Sequence, residues 1–173
     1  MKKSFMSLLI VSTAVFSSLV VTAQTSADVV DVAVGSKDHS TLVTAVKAAD
    51  LVSTLKGKGP FTVFAPVNEA FAKLPAGTLD NLLKPENKAT LAKILTYHVV
   101  AGKLDAKAVL AAIKKGGGKA VVTTISGGKL TASVDNGKVK LTDENGGTAF
   151  VTAADLNASN GIIHVIDSVL LPK

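Results

Sequence analysis

Hydrophobic positions follow two different periods along the chain. From Asp28 to Ile113, apolar residues recur three or four positions apart in short stretches separated by Gly, Pro or capping residues. This pattern predicts a series of short helices. From Lys119 onward apolar and polar residues alternate, which indicates strands. This order, with helices first, then a meander of strands and finally a strand that returns to the sheet, predicts an α+β fold with antiparallel pairing.

One segment within the helical part combines a strand with a helix. A Gly-Pro turn signal at 59–60 precedes the alternating run Phe61–Ala65. The strand should stop at Pro66, which has no N–H group for a strand ladder. Asn68 is then the predicted N-cap of a helix that ends before Pro75. A buried strand leading directly into a capped helix predicts a corner that packs against other parts of the chain.

Four strands are predicted between this helical part and the end of the chain. They are Ala120–Ile125, Lys129–Val134, Lys138–Leu141 and Thr148–Thr152. Asn136 and Gly137 form a two-residue hairpin signal. Ile162–Ile166 is almost entirely apolar, so the last strand should be central and buried.

Three ordered segments resemble the signature of a known family. Phe61–Phe71 has the pattern Phe-Thr-Val-Phe-Ala-Pro-x-Asn-x-Ala-Phe, and Leu95–Val100 and Gly161–Pro172 follow it. Together they resemble the fasciclin domain family over roughly residues 28–172. Val67 stands where many members have Thr or Ser, so a hydroxyl is missing beside the predicted cap. The resemblance implies a wedge-shaped antiparallel β-sandwich with several short helices packed along one side.

The first 23 residues have the features of a secretory signal peptide. Lys2 and Lys3 precede the apolar stretch Phe5–Val21, and small residues lead to a predicted cleavage after Ala23. A retained membrane anchor is the alternative, but Ser and Thr interrupt the apolar run too often for it to span hydrocarbon. The predicted organisation is a signal peptide at 1–23, a short segment at 24–27 and a fasciclin domain at 28–173, secreted or periplasmic.

Composition narrows the function further. The chain has no Cys, which excludes disulfides, thiol nucleophiles and cysteine metal sites. Its 19 basic residues are all Lys and its acidic residues number 13; removal of Lys2 and Lys3 lowers the net charge from +6 to +4. Nucleic-acid binders usually use Arg and stacking aromatic rings. We therefore predict no nucleic-acid partner and a solvated lysine surface, with weak attraction to anionic polymers or membranes as the alternative.

Motif searches predict no catalytic, cofactor or metal site. Ser-x-x-Lys occurs at Ser53 and Ser126 without its partner motifs. The polar run Asp155–Gly161 has oxygens in the order of a calcium loop, but its Gly is one position late and Ile166 replaces the bidentate Glu. We expect no cofactor and no enzymatic activity. A hydrolase would need a nucleophile and a base within hydrogen-bond reach.

The three histidines are the remaining candidates for chemistry. His39 precedes a predicted helix and should be solvated. His98 and His164 lie in apolar runs, where a buried ring with a hydrogen-bond partner is the first interpretation. For His98 that partner is predicted to be Asn68. A metal shared with a carboxylate is the alternative, although no close His spacing supports it.

The resemblance adds a second interpretation of the Tyr-His pair. In animal fasciclin domains this segment is tied to binding of cell-surface receptors, and Tyr97 and His98 match it. The alternative is that both residues fix the junction between a helix and a strand. Asn68, Tyr97, His98 and His164 are therefore predicted as an interaction motif or a structural one.

The resemblance implies a secreted, non-enzymatic protein that mediates cell adhesion or contact with a protein, a cell surface or the extracellular matrix. We expect a monomer with no stable membrane insertion after cleavage. The alternative is a periplasmic or extracellular carrier or sensor that binds a small ligand in a cleft. An enclosed apolar pocket of about 300 Å³ or more beside the signature corner would favour this alternative.

Overall fold

The computed structural model describes residues 27–173. Seven strands form one sheet in the order β2-β1-β7-β6-β5-β4-β3, and seven short α-helices are present in the described part of the chain. The strands are β1 (Phe61–Pro66), β2 (Val99–Ala101), β3 (Lys119–Thr123), β4 (Lys129–Asp135), β5 (Lys138–Thr142), β6 (Thr148–Ala158) and β7 (Gly161–Ile166). The helices are α1 (Val29–Val34), α2 (Ser40–Ala48), α3 (Val52–Leu55), α4 (Asn68–Ala72), α5 (Thr78–Leu82), α6 (Lys88–Tyr97) and α7 (Ala106–Lys115). Single 3₁₀ turns lie at Lys37–His39 and Pro85–Asn87.

The last strand is central, as its apolar run predicts. Every residue of β7 is buried, and β7 lies between β1 and β6. Its pairing with β6 is antiparallel, but its pairing with β1 is parallel, with Phe61 opposite Gly161 and Phe64 opposite His164. The prediction of antiparallel pairing throughout is therefore wrong at this position. A parallel pair needs a long crossover, and nearly 100 residues separate β1 from β7.

The two ends of the sheet approach each other. Val100 of β2 forms a bridge with Thr124, just after β3, and the Ile125 N–H donates to the Val99 carbonyl at 2.8 Å. The strands thus form one mixed, nearly barrel-like sheet with helices packed against it. The α+β class is confirmed, whereas the stacked sandwich is not.

Buried side chains form two clusters. The first lies among α1, α2, α6 and the outer side of β1, and the second lies inside the curved sheet under α7. Members of the second cluster that are fully buried include Tyr97, Leu130, Leu141 and Ile166. The signature strand β1 contributes to both clusters, because Val63 belongs to the first and Phe64 to the second.

The strand-helix corner exists, but its cap is one residue earlier than predicted. Val67 is the N-cap of α4 and forms no side-chain cap bond. Its backbone is extended and its carbonyl accepts from the Ala70 N–H at 2.9 Å. The Asn68 side chain instead turns toward the start of α2. The prediction that Asn68 caps its own helix is therefore wrong.

Restoring a hydroxyl at the true cap should stabilise the domain. Val67→Thr should be about 0.5–1 kcal/mol more stable than Val67→Ala, because a Thr oxygen can accept a free N–H in the first turn of α4. Chemical denaturation of the two variants measures the difference. Val67→Thr and Val67→Ala also differ by one methyl group, so Val67→Ser, which differs from Val67→Ala by the hydroxyl alone, is the control. Equal stability of Val67→Ser and Val67→Ala would contradict the capping argument.

Two further boundaries differ from the sequence prediction. The apolar residues of Tyr97–Val100 predict an extended segment, but this segment begins in a helix, because Tyr97 is the last residue of α6. Strand β6 continues to Ala158, past the predicted end at Thr152, through two irregularities in its pairing with β7. Asp155 in this stretch has a positive φ of 60°. The bulged backbone allows a polar sequence to remain paired. The polar run Asp155–Gly161, whose composition predicts a turn before the last strand, is therefore a strand as far as Ala158.

Candidate functional site

Tyr97 ties the end of α6 to the neighbouring sheet. Its side chain is fully buried, and its hydroxyl donates to the Lys129 carbonyl at 2.7 Å and accepts from the Glu144 N–H at 3.3 Å. The ring lies against Gly128, where a Cβ atom would come within 2.5 Å of it. Burial raises the pKa of the Tyr97 hydroxyl. The side chain therefore joins three elements and presents no surface to solvent.

His98 caps the same helix end from inside the protein. Its ring is 2% exposed; Nδ1 lies 2.8 Å from the Ile94 carbonyl, and Nε2 accepts from the Leu170 N–H at 3.1 Å. These partners require the tautomer with the proton on Nδ1. The prediction of burial is confirmed, but the predicted partner Asn68 is wrong, because the bonds go to the backbone of α6 and of the C-terminal segment.

His164 has the opposite tautomer. It is 2% exposed, and its Nε2 lies 2.7 Å from the Leu104 carbonyl, to which it donates. Its Nδ1 accepts from the Asp155 N–H at 3.4 Å. The ring stacks on Phe64 of the neighbouring strand with 5.6 Å between centroids. The parallel register that places these two residues opposite each other thus also pairs their rings.

Asn68 lies apart from these three rings. Its Oδ1 accepts from the Thr41 N–H at 2.9 Å and from the Ser40 hydroxyl at 3.2 Å, while Nδ2 donates to the Lys37 carbonyl at 2.9 Å. It therefore caps α2 from a distant part of the chain. The four signature residues do not converge on one surface: three are buried in the domain and Asn68 holds the start of a helix.

The prediction that His39 is solvated is wrong. The ring is 6% exposed, since the 3₁₀ turn at Lys37–His39 folds it inward, and Nδ1 lies 2.9 Å from the Ser36 hydroxyl. Within residues 27–173, Nε2 has no hydrogen-bond partner. Burial lowers the pKa of this ring.

Sequence reasoning missed a polar side chain that joins several elements. Oδ1 of Asn160 accepts from the Val29 N–H at 3.0 Å, and Nδ2 donates to the carbonyls of Leu55 at 2.7 Å and Gly57 at 3.1 Å. Its own carbonyl accepts from the Phe61 N–H at 3.0 Å. The position of Asn160, directly before the third signature segment, is the sequence feature that could have indicated this role.

Asp143 forms a second hidden junction. One carboxylate oxygen accepts from the N–H groups of Asn145 and Gly147, at 2.9 and 2.7 Å, and the other from the Leu171 N–H at 3.0 Å. This residue is 9% exposed. It orders the turn between β5 and β6 and attaches the C-terminal segment to that turn.

Two concave regions are the candidates for a ligand. An apolar cavity of about 190 Å³ lies between the first three helices and the β1–β2 pair, with Leu42, Val46 and Val63 in its wall and Lys47 and Lys56 among its lining residues. A more open groove of about 520 Å³ runs along residues 56–60 and 158–161. Across residues 27–173, no three His, Asp or Glu side chains are grouped to hold a metal ion, and no helix is long and apolar enough to cross a membrane.

Comparison with known proteins decides the family. Residues 37–172 match the family model of the Fasciclin domain. The chain belongs to the fasciclin domain family. It is 55% identical over 144 residues to protein sll1483 of Synechocystis sp., covering 83% of this chain and 73% of that protein.

More distant members have the same fold and domain. Over 144 residues, the chain is 38% identical to transforming growth factor-beta-induced protein ig-h3 of Sus scrofa, covering 83% of this chain and 19% of that protein. The solved FAS1 domain pair of the insect cell adhesion molecule Fasciclin I superposes with a TM-score of 0.73 at 20% identity. That match covers 84% of this chain and 51% of the solved one. The fasciclin fold of the present chain is therefore shown.

Acid should destabilise this fasciclin domain because His98 is buried as a neutral ring. Burial lowers its pKa from 6.5 to about 4. Above pH 6.5 the ring is neutral in both the folded and the unfolded chain. Between pH 6.5 and about 4 only the unfolded chain binds the proton, so stability should fall by about 3 kcal/mol in total. Below about pH 4 both states bind it, and this contribution no longer changes.

Urea unfolding at several pH values between 7 and 4 measures this loss. His98→Gln is the matched variant, because its amide can bond both backbone partners but cannot titrate. The variant should lose less stability than the parent over this range, while His39, whose pKa burial also lowers, leaves a residual slope. An identical pH profile of parent and variant would contradict the assignment to His98.

Proposed function

We propose that this chain is a secreted, non-enzymatic fasciclin-domain protein that mediates adhesion by binding a protein, a cell-surface component or a matrix component. The observation that carries the proposal is membership of the fasciclin domain family, whose members include transforming growth factor-beta-induced protein ig-h3, 38% identical to this chain over 144 residues. Fold alone does not assign a function. The absence of a predicted cofactor or nucleophile motif is compatible with this class of protein.

We also propose a structural role for the signature residues. The hydrogen bonds of Tyr97, His98 and His164 all go to groups within the domain. A recognition residue would have to expose a polar group to its partner, and these rings expose at most 2% of their surface. Adhesion would then use the outer surface of the domain, and the Tyr-His pair would support it only through folding.

Export remains a prediction, because residues 1–23 and the predicted cleavage after Ala23 lie outside the described residues. Mass spectrometry of the processed protein should find an N-terminus at Gln24 or within a few residues of it. Membrane-bound protein that retains residues 1–23 would contradict the secreted or periplasmic location. The domain limits 28–173 and the monomeric state are likewise proposals.

Binding to the native cell envelope tests the adhesion proposal. The purified processed protein should sediment with envelope fragments in a saturable manner, and unlabelled protein should displace labelled protein. Heat-unfolded protein is the control for nonspecific adsorption. Sedimentation that is not saturable, or that no excess of unlabelled protein reduces, would contradict adhesion.

A carrier of a small apolar ligand is the second candidate, and the apolar cavity, although smaller than the size expected to favour a carrier, is its candidate site. Its volume of about 190 Å³ is below the ~300 Å³ of ordinary small-molecule pockets. It nevertheless exceeds the ~150 Å³ of an engineered apolar cavity that binds benzene. Lys56 at its rim pairs with Asp28 and Asp31, so the rim offers little net charge. A neutral hydrocarbon of one ring or a short chain is the ligand class that fits.

Thermal unfolding with and without toluene tests the carrier. Toluene should raise the midpoint of the parent, and Val43→Phe, which adds a ring at the half-buried wall of the cavity, should abolish the shift. Val121→Phe, on an exposed strand position, is the matched control and should retain it. No shift in the parent, or equal shifts in all three proteins, would exclude this candidate.

A further inference from the structure

Positive charge is concentrated in one continuous part of the chain. Residues 106–142, which run from the start of α7 to the end of β5, contain seven Lys and a single acidic residue, Asp135. Their net charge is +6. The rest of the described chain contains ten Lys and twelve acidic residues, a net charge of −2. The net charge of the described chain is therefore the sum of a strongly basic region and a weakly acidic remainder.

Strand register places four of these lysines on one face. In an antiparallel sheet, directly opposed residues share a face, and Lys119 is opposite Ser133, which is opposite Lys140. Lys129 and Lys138 alternate in phase with these positions along β4 and β5. We call this outward surface of β3, β4 and β5 the lysine face. Its members are Lys119, Lys129, Lys138 and Lys140 with Val121, Thr123, Thr131, Ser133, Asp135 and Thr142.

The opposite surface of the same strands is the core. Leu130, Ala132 and Leu141, which alternate with the lysine-face residues, are at most 1% exposed. The pleat therefore directs the lysine face outward. Lys119, Lys129 and Lys138 are exposed and Lys140 is half-buried. The face is a regular part of the curved sheet and is held by the core behind it.

Carboxylates neutralise little of this charge. Lys140 pairs with Asp135 at 2.8 Å, and among residues 27–173 it is the member of the lysine face that forms an ion pair. Glu144 lies at one end, where it accepts from the backbone N–H of Lys129 at 3.3 Å. Strands lie about 5 Å apart, so Lys119 and Lys140, two strands apart, have Cα atoms about 10 Å apart. At such spacing in physiological salt, neighbouring charges are only partly screened.

The side chains between the lysines indicate the kind of anion. Ser133 lies between Lys119 and Lys140, and Thr131, Thr142 and Thr148 form the adjacent cross-strand row. Hydroxyl groups both donate and accept hydrogen bonds, as sugar hydroxyls do. A surface that alternates ammonium and hydroxyl groups complements a polymer that alternates carboxylate or sulfate with hydroxyl groups.

Two other polyanions fit this face less well. Nucleic acids are usually held by Arg and by several stacking aromatic rings, whereas the chain has no Arg and the aromatic residue beside this face is the half-buried Phe150. A membrane surface usually needs a broad apolar side as well as cations, and the apolar residue of this face is Val121. Neither feature is present to the extent required.

We propose that the lysine face binds a linear acidic polysaccharide, by ion pairs from its lysines and hydrogen bonds from its hydroxyl groups. This inference deepens the proposed adhesive function by naming a surface and a partner class. It requires no new conformation, since the face is already ordered and exposed. Binding by several weak, partly screened contacts should depend strongly on salt.

Alginate, a linear polyuronate, is the probe, and the processed full-length protein is titrated with it at 50 and 300 mM NaCl. Affinity should fall at the higher salt, and neutral dextran should not bind. Lys119→Gln/Lys138→Gln should weaken binding by on the order of fivefold per lysine, the attraction of one lysine to an anionic surface. Lys37→Gln/Lys84→Gln removes the same charge from exposed positions outside the face and outside both concave regions and should bind like the parent.

Three results would overturn the inference. The first is no alginate binding by the parent at 50 mM NaCl, and the second is an equal loss of alginate affinity in both double variants. The third is tighter binding of the parent to single-stranded DNA or phosphatidylglycerol vesicles than to alginate. The envelope assay separates it from the adhesion proposal. If Lys119→Gln/Lys138→Gln still sediments like the parent, adhesion stands and the lysine face is not its site. If only alginate is bound and the envelope is not, the lysine face stands and envelope adhesion fails.

Discussion

Asn160→Ala should destabilise the domain by about 3–4 kcal/mol. The substitution removes three side-chain hydrogen bonds at once, to the N–H of Val29 and to the carbonyls of Leu55 and Gly57. Each bond contributes about 1 kcal/mol net, and a partner left unpaired in a part-buried site costs more. These partners belong to α1 and to the segment from α3 into β1. Losing one side chain should therefore loosen the helix layer from the edge of the β1–β7 pair.

Asn157→Ala is the matched control for this prediction. Asn157 is an exposed residue near the end of β6 and donates one bond at 3.1 Å to the Asp155 carbonyl. Its replacement should cost less than about 0.5 kcal/mol. Asn160→Asp should be at least as harmful as Asn160→Ala, because it directs an acceptor at two carbonyl groups. Guanidinium unfolding of the three variants measures this order, and equal midpoints for Asn160→Ala and Asn157→Ala would refute the role of Asn160.

Local sequence patterns predicted the strands, turns and caps that depend on residues close to each other in the chain. The apolar run Ile162–Ile166 predicts a central strand, Asn136-Gly137 predicts the β4–β5 hairpin, and Asp105 at the start of α7 accepts from the Ala108 N–H at 2.7 Å as an N-cap should. Each of these signals acts within a few residues, where periodicity and capping chemistry are decided. The three signature segments likewise predicted the family that the domain match shows.

Long-range partners could not be predicted in the same way. The parallel β1–β7 pair, the cap that Asn68 provides to α2 and the backbone partners of His98 all join residues far apart in the chain. Nothing in the local sequence says which carbonyl or N–H a buried side chain will meet. His39 illustrates the limit, because a polar residue before a helix is usually solvated and here tertiary packing covers it.

The candidate surfaces likewise combine features that the local sequence shows with features that only the folded structure shows. The basic stretch 106–142 can be counted in the sequence, but only the strand register shows that four of its lysines share one face. The Tyr-His pair is the opposite case. Its motif is evident in the sequence, but the structure shows that both side chains are buried. The burial of Tyr97 and His98 favours a role in folding, and paired measurements of stability and binding test it.

His98→Ala should destabilise the domain by about 3–5 kcal/mol. The change removes a large buried ring, a replacement that is costly, and it enlarges the apolar cavity that His98 lines. It also leaves the Ile94 carbonyl and the Leu170 N–H without their partner, and unpaired buried groups add to the loss. The Leu170 bond holds the C-terminal segment, so that segment should become more accessible to carboxypeptidase in the variant.

Two companion variants separate folding from recognition. His98→Gln can bond both backbone groups and should recover part of the lost stability, while Tyr97→Phe loses one hydroxyl, bonded to Lys129 and Glu144, and should cost about 1–2 kcal/mol. Envelope binding is measured for each variant at a temperature where all are folded. If the rings act only in folding, the folded fraction of every variant should bind like the parent, since none of the altered groups reaches the surface. Normal stability of His98→Ala with lost binding would instead make Tyr97 and His98 a recognition site, exposed by a conformation other than the one described.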